Sequence, residues 1–217
     1  MTHTRILITK GCDFIETYDI QGYLVTFNDV DHQYTVNGKA VISVTQLIDR
    51  LLGKPYKRVD PVILEKAAQR GNELHDMIER YERFGEKTMH KEMATYLGLK
   101  KQHQFDVLES EKIVLIMRYG EVIAAGRFDM VVSSPFIKGK GIADVKRSLH
   151  LDETRLKLQL NLYKLGYEQT YRKKIHYLKC LHIRNRHGNY LDVPTDKAYV
   201  EAMLDRYLDT LENSNTP

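Results

Sequence analysis

The chain has no tryptophan, only two cysteines and five prolines, and no long apolar run. Each scarcity excludes something. Cys12 and Cys180 lie far apart in sequence, too few for a disulfide framework or a four-cysteine zinc or iron–sulfur site, and a reducing cytoplasm fits best. The longest apolar stretches, such as Ile113 to Met117, fall far short of a membrane span. The first residues lack a basic start followed by an apolar core, so no secretion signal is expected. There is no Pro/Ser linker, internal repeat or low-complexity tract, and no glycine-rich phosphate loop of the P-loop or dinucleotide type. What remains is 217 residues, 42% hydrophobic and 29% charged, the composition of one globular domain.

The net charge of +4 is mildly basic and compatible with a polyanionic partner. Lys and Arg concentrate between Lys138 and Lys179, a stretch that also includes Lys146, Arg147, Arg155, Lys157 and Lys164. Taken alone, such a stretch reads first as a solvated, salt-laced face. Beside a cluster of acids it also suits a metal-dependent phosphodiesterase, in which acids hold cations and bases hold the phosphate backbone.

Local signals give the order of elements. A short strand is expected at Arg5 to Thr9. Asn37-Gly38 between alternating runs marks a hairpin. Ser43 with Gln46 forms a capping box for a helix from Val44 to Leu52, closed by Gly53. Asp60-Pro61 opens a long helix that reaches Phe84, with Gly85 after it. Further helices are expected at Lys91 to Leu108, Thr154 to Tyr171 and Asp196 to Leu211. Strands are expected at Lys112 to Met117, Val122 to Val132, Ile142 to Arg147, Ile175 to Ile183 and near Tyr190. The third of these follows a nine-residue loop, SSPFIKGKG. Together they predict an α/β domain: a mixed central sheet flanked by helices. Within one domain spanning 1–217, residues 1–60 form an N-terminal lead-in, 61–184 the motif-bearing core, and 185–217 a C-terminal hairpin and helix.

Four motifs could carry chemistry. In IADVKRS, strand alternation turns Asp144 and Lys146 to one face, where a carboxylate could hold a cation and an ammonium could steady charge on a phosphate. Alone, this pattern is most simply a same-face salt bridge. In GRFDMVV, Asp129 interrupts an apolar run, and burying a carboxylate there is costly unless it is paired or metal-bound. If the two strands are antiparallel neighbours, Asp129 and Asp144 lie level. In RGNELHDMIERY, Gly71, His75 and Glu79 share one helix face, flanked by Leu64, Ala68, Leu74 and Ile78, so this face is expected to meet the sheet. Gly71 costs helix stability, about 1 kcal/mol against Ala, which close approach of a strand or of DNA backbone would explain. His75 is either a further metal ligand or a hydrogen-bonded core histidine. In QLNLYKLGYE, Gln159 and Tyr163 are helical neighbours able to contact phosphate, or else an incidental polar pair.

With these motifs in this order, the chain resembles the RecB-like branch of the PD-(D/E)XK nuclease superfamily, notably small phage and prophage exonucleases. The lead-in DHQYTVNGKAVISVTQLI is also similar to that of phage members. The resemblance implies a restriction-endonuclease-like fold and hydrolysis of DNA phosphodiester bonds with Mg²⁺ or Mn²⁺, with Asp129, Asp144 and Lys146 catalytic. His75, Asp129, Asp144 and the Val145 carbonyl would ligate the metal, while Gln159, Tyr163 and Arg147 would contact DNA. Glu79 and Glu111 stand as further candidates, Glu111 at the start of the first core strand in competition with Glu109. The resemblance further implies exonuclease action in phage recombination beside a single-strand annealing protein, in the bacterial cytoplasm; ring-shaped oligomers are compatible with it. Two departures stand out: Phe128 replaces the proline of the family name, and Asp144 stands where Glu is frequent.

Two rivals follow from the residues. One is a nucleic-acid-binding or assembly module with a nuclease-like fold and no activity. The other is a zinc site of His176, Cys180 and His182 on one strand face, with His187 nearby.

Overall fold

The computed structural model describes residues 6–10, 13–28, 31–56 and 59–214. Arg5 of the first expected strand and Cys12 lie outside them.

Short-range chemistry sets the first elements. Strands β1 (Ile6–Lys10), β2 (Asp13–Ile20), β3 (Tyr23–Asn28), β4 (Gln33–Val36) and β5 (Lys39–Ser43) form an antiparallel meander. The β4–β5 turn takes left-handed backbone at both Asn37 (φ 49°) and Gly38 (φ 78°), the geometry that matches strand twist in a two-residue hairpin. Ser43 ends β5 and caps α1 (Val44–Leu52), with the reciprocal Gln46 bond present. Asp60 caps α2 (Pro61–Phe84) by accepting from Val62 N–H, and Gly85 closes it in the left-handed conformation. α3 (Lys91–His103) follows.

The second half holds β6 (Asp106–Arg118), β7 (Glu121–Ser134), β8 (Ile137–Lys146), α4 (Glu153–Tyr171), β9 (Tyr177–Arg184), β10 (His187–Val193) and α5 (Lys197–Ser214). The sheet runs β1-β2-β3-β4-β5-β7-β8-β9-β10, with β6 on β7 as well. The β5–β7 and β8–β9 pairs are parallel and the others antiparallel. This is a mixed α/β architecture, as expected. Val44, Leu47, Leu158, Leu162 and Leu204 bury one sheet face under α1, α4 and α5. Leu74, Ile78, Met93 and Tyr96 bury the other under α2 and α3.

Several expectations are corrected. β2 and β3 were not anticipated. The helix expected to reach Leu108 stops at His103, because Gln104 turns left-handed and the chain enters β6 at Asp106. Most of the nine-residue loop before the lysine strand is itself strand: β8 starts at Ile137 after a tight turn at Pro135-Phe136, and its partner β7 runs to Ser134. The face of α2 does not meet the sheet along its length. Leu74 and Ile78 are buried, but Ala68 is exposed and nothing lies within 4 Å of where a Cβ on Gly71 would stand. No strand approaches Gly71, so close packing does not account for it.

A candidate active site at a fork in the sheet

The long strand β7 has two different neighbours along one edge. β5 pairs with it at Ala124 and Ala125, and β8 pairs with it from Met130 onward. Between these contacts, Gly126 to Asp129 face a gap. β8 leaves β7 after Ala143 and continues beside β9, with Asp144 level with Cys180 and Lys146 level with His182. Continuing the Met130–Ala143 register by one step would set Asp129 opposite Asp144. The two carboxylates therefore stand on either side of the parting strands, as the sequence spacing suggested. In the gap, Val145 N–H donates to Asp129 Oδ2 at 2.6 Å, so a side-chain oxygen takes the place of a ladder carbonyl.

A second irregularity coincides with the first. Ala124 and Phe128 pack on the α1/α4 side, as alternation requires, but Met130 and Val132 pack on the α2/α3 side and Val131 on the first. The strand changes face between Phe128 and Met130. Across β6, the residue level with Asp129 is Glu111, which lies between the Ser110–Met130 and Lys112–Phe128 pairs and takes φ 50°. Left-handed backbone at a non-glycine residue costs about 1–3 kcal/mol and concentrates at functional sites.

The charges form a tight chain. His75 Nδ1 lies 3.0 Å from Asp129 Oδ1, and Lys146 Nζ lies 2.6 Å from Asp144 Oδ2. Asp144 is 3% exposed, and the Lys146 ammonium is its countercharge. Burial pushes the Asp144 carboxyl above the usual range, opposed by Lys146 and reinforced by the Asp129 charge. Burial also acts against ionised Asp129, but the His75 cation, Lys146 and the Val145 N–H outweigh it and hold its carboxyl low. For His75, the Asp129 charge and hydrogen bond overcome burial and lift the ring to about 9. Burial and the Asp129 charge raise Glu111 to about 8, against the pull of Arg127, whose Nε lies 2.9 Å from Glu111 Oε2.

A cleft of about 720 Å³ opens over these groups. It brings together His75, Glu79, Glu111, Asp129, Asp144, Lys146, Gln159 and Tyr163. Gln159 donates to Tyr163 Oη at 3.2 Å, and Glu79 also pairs with Arg83. Of the competing acids, Glu109 turns instead to Tyr167 and Lys112. Glu111 stands inside β6 rather than at its start, because that strand begins at Asp106. Arg147 does not line the cleft. Its Nε lies 3.0 Å from each carboxylate oxygen of Glu92, so the side chain anchors the end of β8 to α3 instead of reaching for a ligand. Much of the basic stretch is engaged in the same way, as in Arg155–Asp49, Lys157–Asp196, Lys164–Glu168 and Lys179–Asp192. The zinc candidates do not gather: His182 bonds the Ser148 carbonyl, Cys180 is buried in the core, and His176 lies before β9 beside Gly139.

The structure also brings residues to the cleft that sequence reasoning missed. Arg127 stacks 4.6 Å above the Phe27 ring, and His32, Thr45, Gln46, Asn72 and Asp76 complete the walls. The overlooked signal was the alternation Tyr23, Val25, Phe27 after Gln21-Gly22, a strand leading from a turn.

Could these residues hold a divalent cation? Among the described residues, no His, Cys, Asp and Glu side chains are set closely enough to make a ready cage of three or more. The donor chemistry nonetheless fits. Asp144 and Asp129 set two carboxylates side by side at the cleft with Glu111 beyond them, and oxygen-rich sets suit Mg²⁺ or Mn²⁺.

No protein-family profile and no curated protein matches the chain. Among solved structures, it is similar to one described as "Crystal structure of SSO0001", with 18% identity over 80% of this chain and 77% of that one, at a TM-score of 0.41. A likeness that low carries no argument about function.

Proposed function

We propose that the chain is a divalent-metal-dependent DNA nuclease of the PD-(D/E)XK type. The observation that carries this reading is the convergence of Asp129, the buried Asp144 and Lys146 in an open cleft, with His75 on Asp129 and Lys146 on Asp144. Perturbed acids grouped with a lysine in a cleft are where hydrolytic chemistry is expected. A Mg²⁺ or Mn²⁺ ion there would supply Lewis-acid polarisation of a phosphate and lower the pKa of an attacking water. Asp129 and Asp144 would hold it, with His75 and Glu111 at its edge and the Val145 carbonyl as the family's backbone ligand.

The side chains have separable tasks. Lys146 orients the attacking water and steadies the charge that builds on the phosphoryl oxygens. His75 fixes the Asp129 carboxylate through its Nδ1 contact. Tyr163, hydrogen-bonded to Gln159 and lining the same cleft as Lys146, would offer its hydroxyl to the scissile phosphate. The resemblance extends the proposal to exonuclease action that makes single-stranded tails for phage recombination, with a single-strand annealing protein as partner. Among the described residues, no helix is long and apolar enough to cross a membrane.

The test is direct. End-labelled linear duplex, closed circular DNA and single strands are incubated with purified protein and Mn²⁺ or Mg²⁺. The proposal expects degradation of at least one of them that EDTA stops and Asp144→Asn abolishes, with DNA binding retained by the variant. Wild-type protein that binds DNA but leaves every substrate intact would instead identify an inactive binding module.

A further inference from the structure

Gly126 stands inside β7, level with Val114 of β6, on the side that Ala124 and Phe128 turn to α1 and α4. Glycine weakens a strand interior and there often marks a bulge, a bend or a close approach. The β6–β7 ladder is regular on both sides of Gly126, and its backbone is not left-handed. Close approach remains, and the neighbours show it. A Cβ on Gly126 would stand 2.7 Å from Val44 Cγ2 and 2.9 Å from Tyr163 Cε1. Carbons in contact pack at about 3.5–4.0 Å. Neither neighbour has room to withdraw, since Val44 is 1% and Tyr163 4% exposed.

Both neighbours belong to the walls of the cleft. Val44 opens α1 between Ser43 and Thr45, and all three line the cleft. Tyr163 lines it too, with its ring against Phe128 at 5.7 Å between centroids and its hydroxyl accepting from Gln159. Burial, then the Asp144 charge, pushes the phenol above its usual range, so the hydroxyl stays a neutral donor. We propose that Gly126 is a positioning residue for phosphodiester hydrolysis: the bare backbone at this point of β7 seats the Tyr163 ring so that its hydroxyl meets the substrate phosphate. This rests on the nuclease reading and deepens it by naming what holds one donor at the reacting group. Gly126→Ala forces the ring off the strand while every side chain that lines the cleft keeps its chemistry.

The test is a double-mutant cycle of Gly126→Ala and Tyr163→Phe. It measures kcat and KM on end-labelled linear DNA in Mn²⁺, and the melting temperature of each protein. Tyr163→Phe keeps the ring and removes only the hydroxyl, and should lower kcat about a hundredfold. Gly126→Ala should lower kcat about tenfold or more in the wild-type background, with KM nearly unchanged, but less than about twofold in the Tyr163→Phe background. Melting should fall by about 3–9 °C in both backgrounds, because the crowding persists in each. A merely structural role would not tell the two backgrounds apart. Val44→Ala supplies a second pair. It removes the nearest contact and leaves room for the added methyl, so it carries the measurement even if Gly126→Ala alone does not fold. Relative to Val44→Ala, the Val44→Ala/Gly126→Ala variant should still lose about tenfold in kcat, since the ring remains in the way. Wild-type kcat in Gly126→Ala would overturn the proposal. So would an equal loss in the Tyr163→Phe background. Full kcat in the Val44→Ala/Gly126→Ala variant would also overturn it, because the glycine would then serve α1 rather than Tyr163. If wild-type protein degrades no DNA, the nuclease reading itself fails and the proposal falls with it.

Discussion

Glu92 and Arg147 show how a side chain outside the cleft can hold one inside it. Glu92 is 2% exposed and accepts from Arg147 Nε and from Asn185 N–H at 2.8 Å. Arg147 follows Lys146 directly, so this pair fixes the end of the strand that presents the lysine. Arg147→Met would leave a buried carboxylate without its cation and should cost about 3–5 kcal/mol of unfolding free energy, read from urea denaturation. The pH dependence has a definite sign. Burial works against the Glu92 charge, but the Arg147 and Asn185 hydrogen bonds prevail and hold its carboxyl below the usual value of 4.5. A depressed folded pKa means stabilisation is complete above the unfolded value and disappears as pH falls through the folded one. The stability gap between wild type and Glu92→Gln should therefore be full at neutral pH and close under acid below about pH 4.5.

At the level of elements, Gly166 in α4 and Gly98 in α3 should respond oppositely to alanine, since open space lies where a Cβ on Gly98 would stand and alanine favours helix there. A Cβ on Gly166 would stand 2.7 Å from Ile116 Cδ1 and 3.0 Å from Val114 Cβ, where α4 meets β6. Gly166→Ala should lower stability by about 1–3 kcal/mol despite alanine's better helix propensity, and a loss in melting temperature would register it. How much of this was legible in the sequence depended on range. The Asn37-Gly38 hairpin, the Ser43–Gln46 box and the Asp60-Pro61 start are decided by neighbouring residues, and each formed as read. The level placement of Asp129 and Asp144 also followed from strand spacing. The face change between Phe128 and Met130 did not, because strand alternation puts both on one side. Arg147 was misjudged for a similar reason: its partner Glu92 lies on another helix, and nothing local announces the pair. The exposed first half of α2 was misjudged as sheet-facing because its apolar periodicity says nothing about how far the sheet extends.

For the molecule as a whole, the meander β1–β5 is joined to the rest through the β5–β7 pair, and the cleft lies at that seam. One wall therefore comes from the first fifty residues and the other from α2. The net charge of +4 is modest and many cations are internally paired. Binding of a labelled oligonucleotide should still weaken with salt, with log affinity falling linearly against log salt, but with a shallow slope of roughly two to four phosphate contacts when followed by anisotropy in Ca²⁺. A salt-independent affinity would remove the phosphate backbone from the account. The claim underlying all of this is that Asp129 and Asp144 share an ion, and Mn²⁺ titration followed by calorimetry on wild type, Asp129→Asn and Asp144→Asn tests it without reference to substrate. The account predicts saturable binding to the wild type and its loss in both variants while each stays folded by circular dichroism. Wild-type protein that takes up no Mn²⁺, or variants that bind it as well as wild type does, would contradict it.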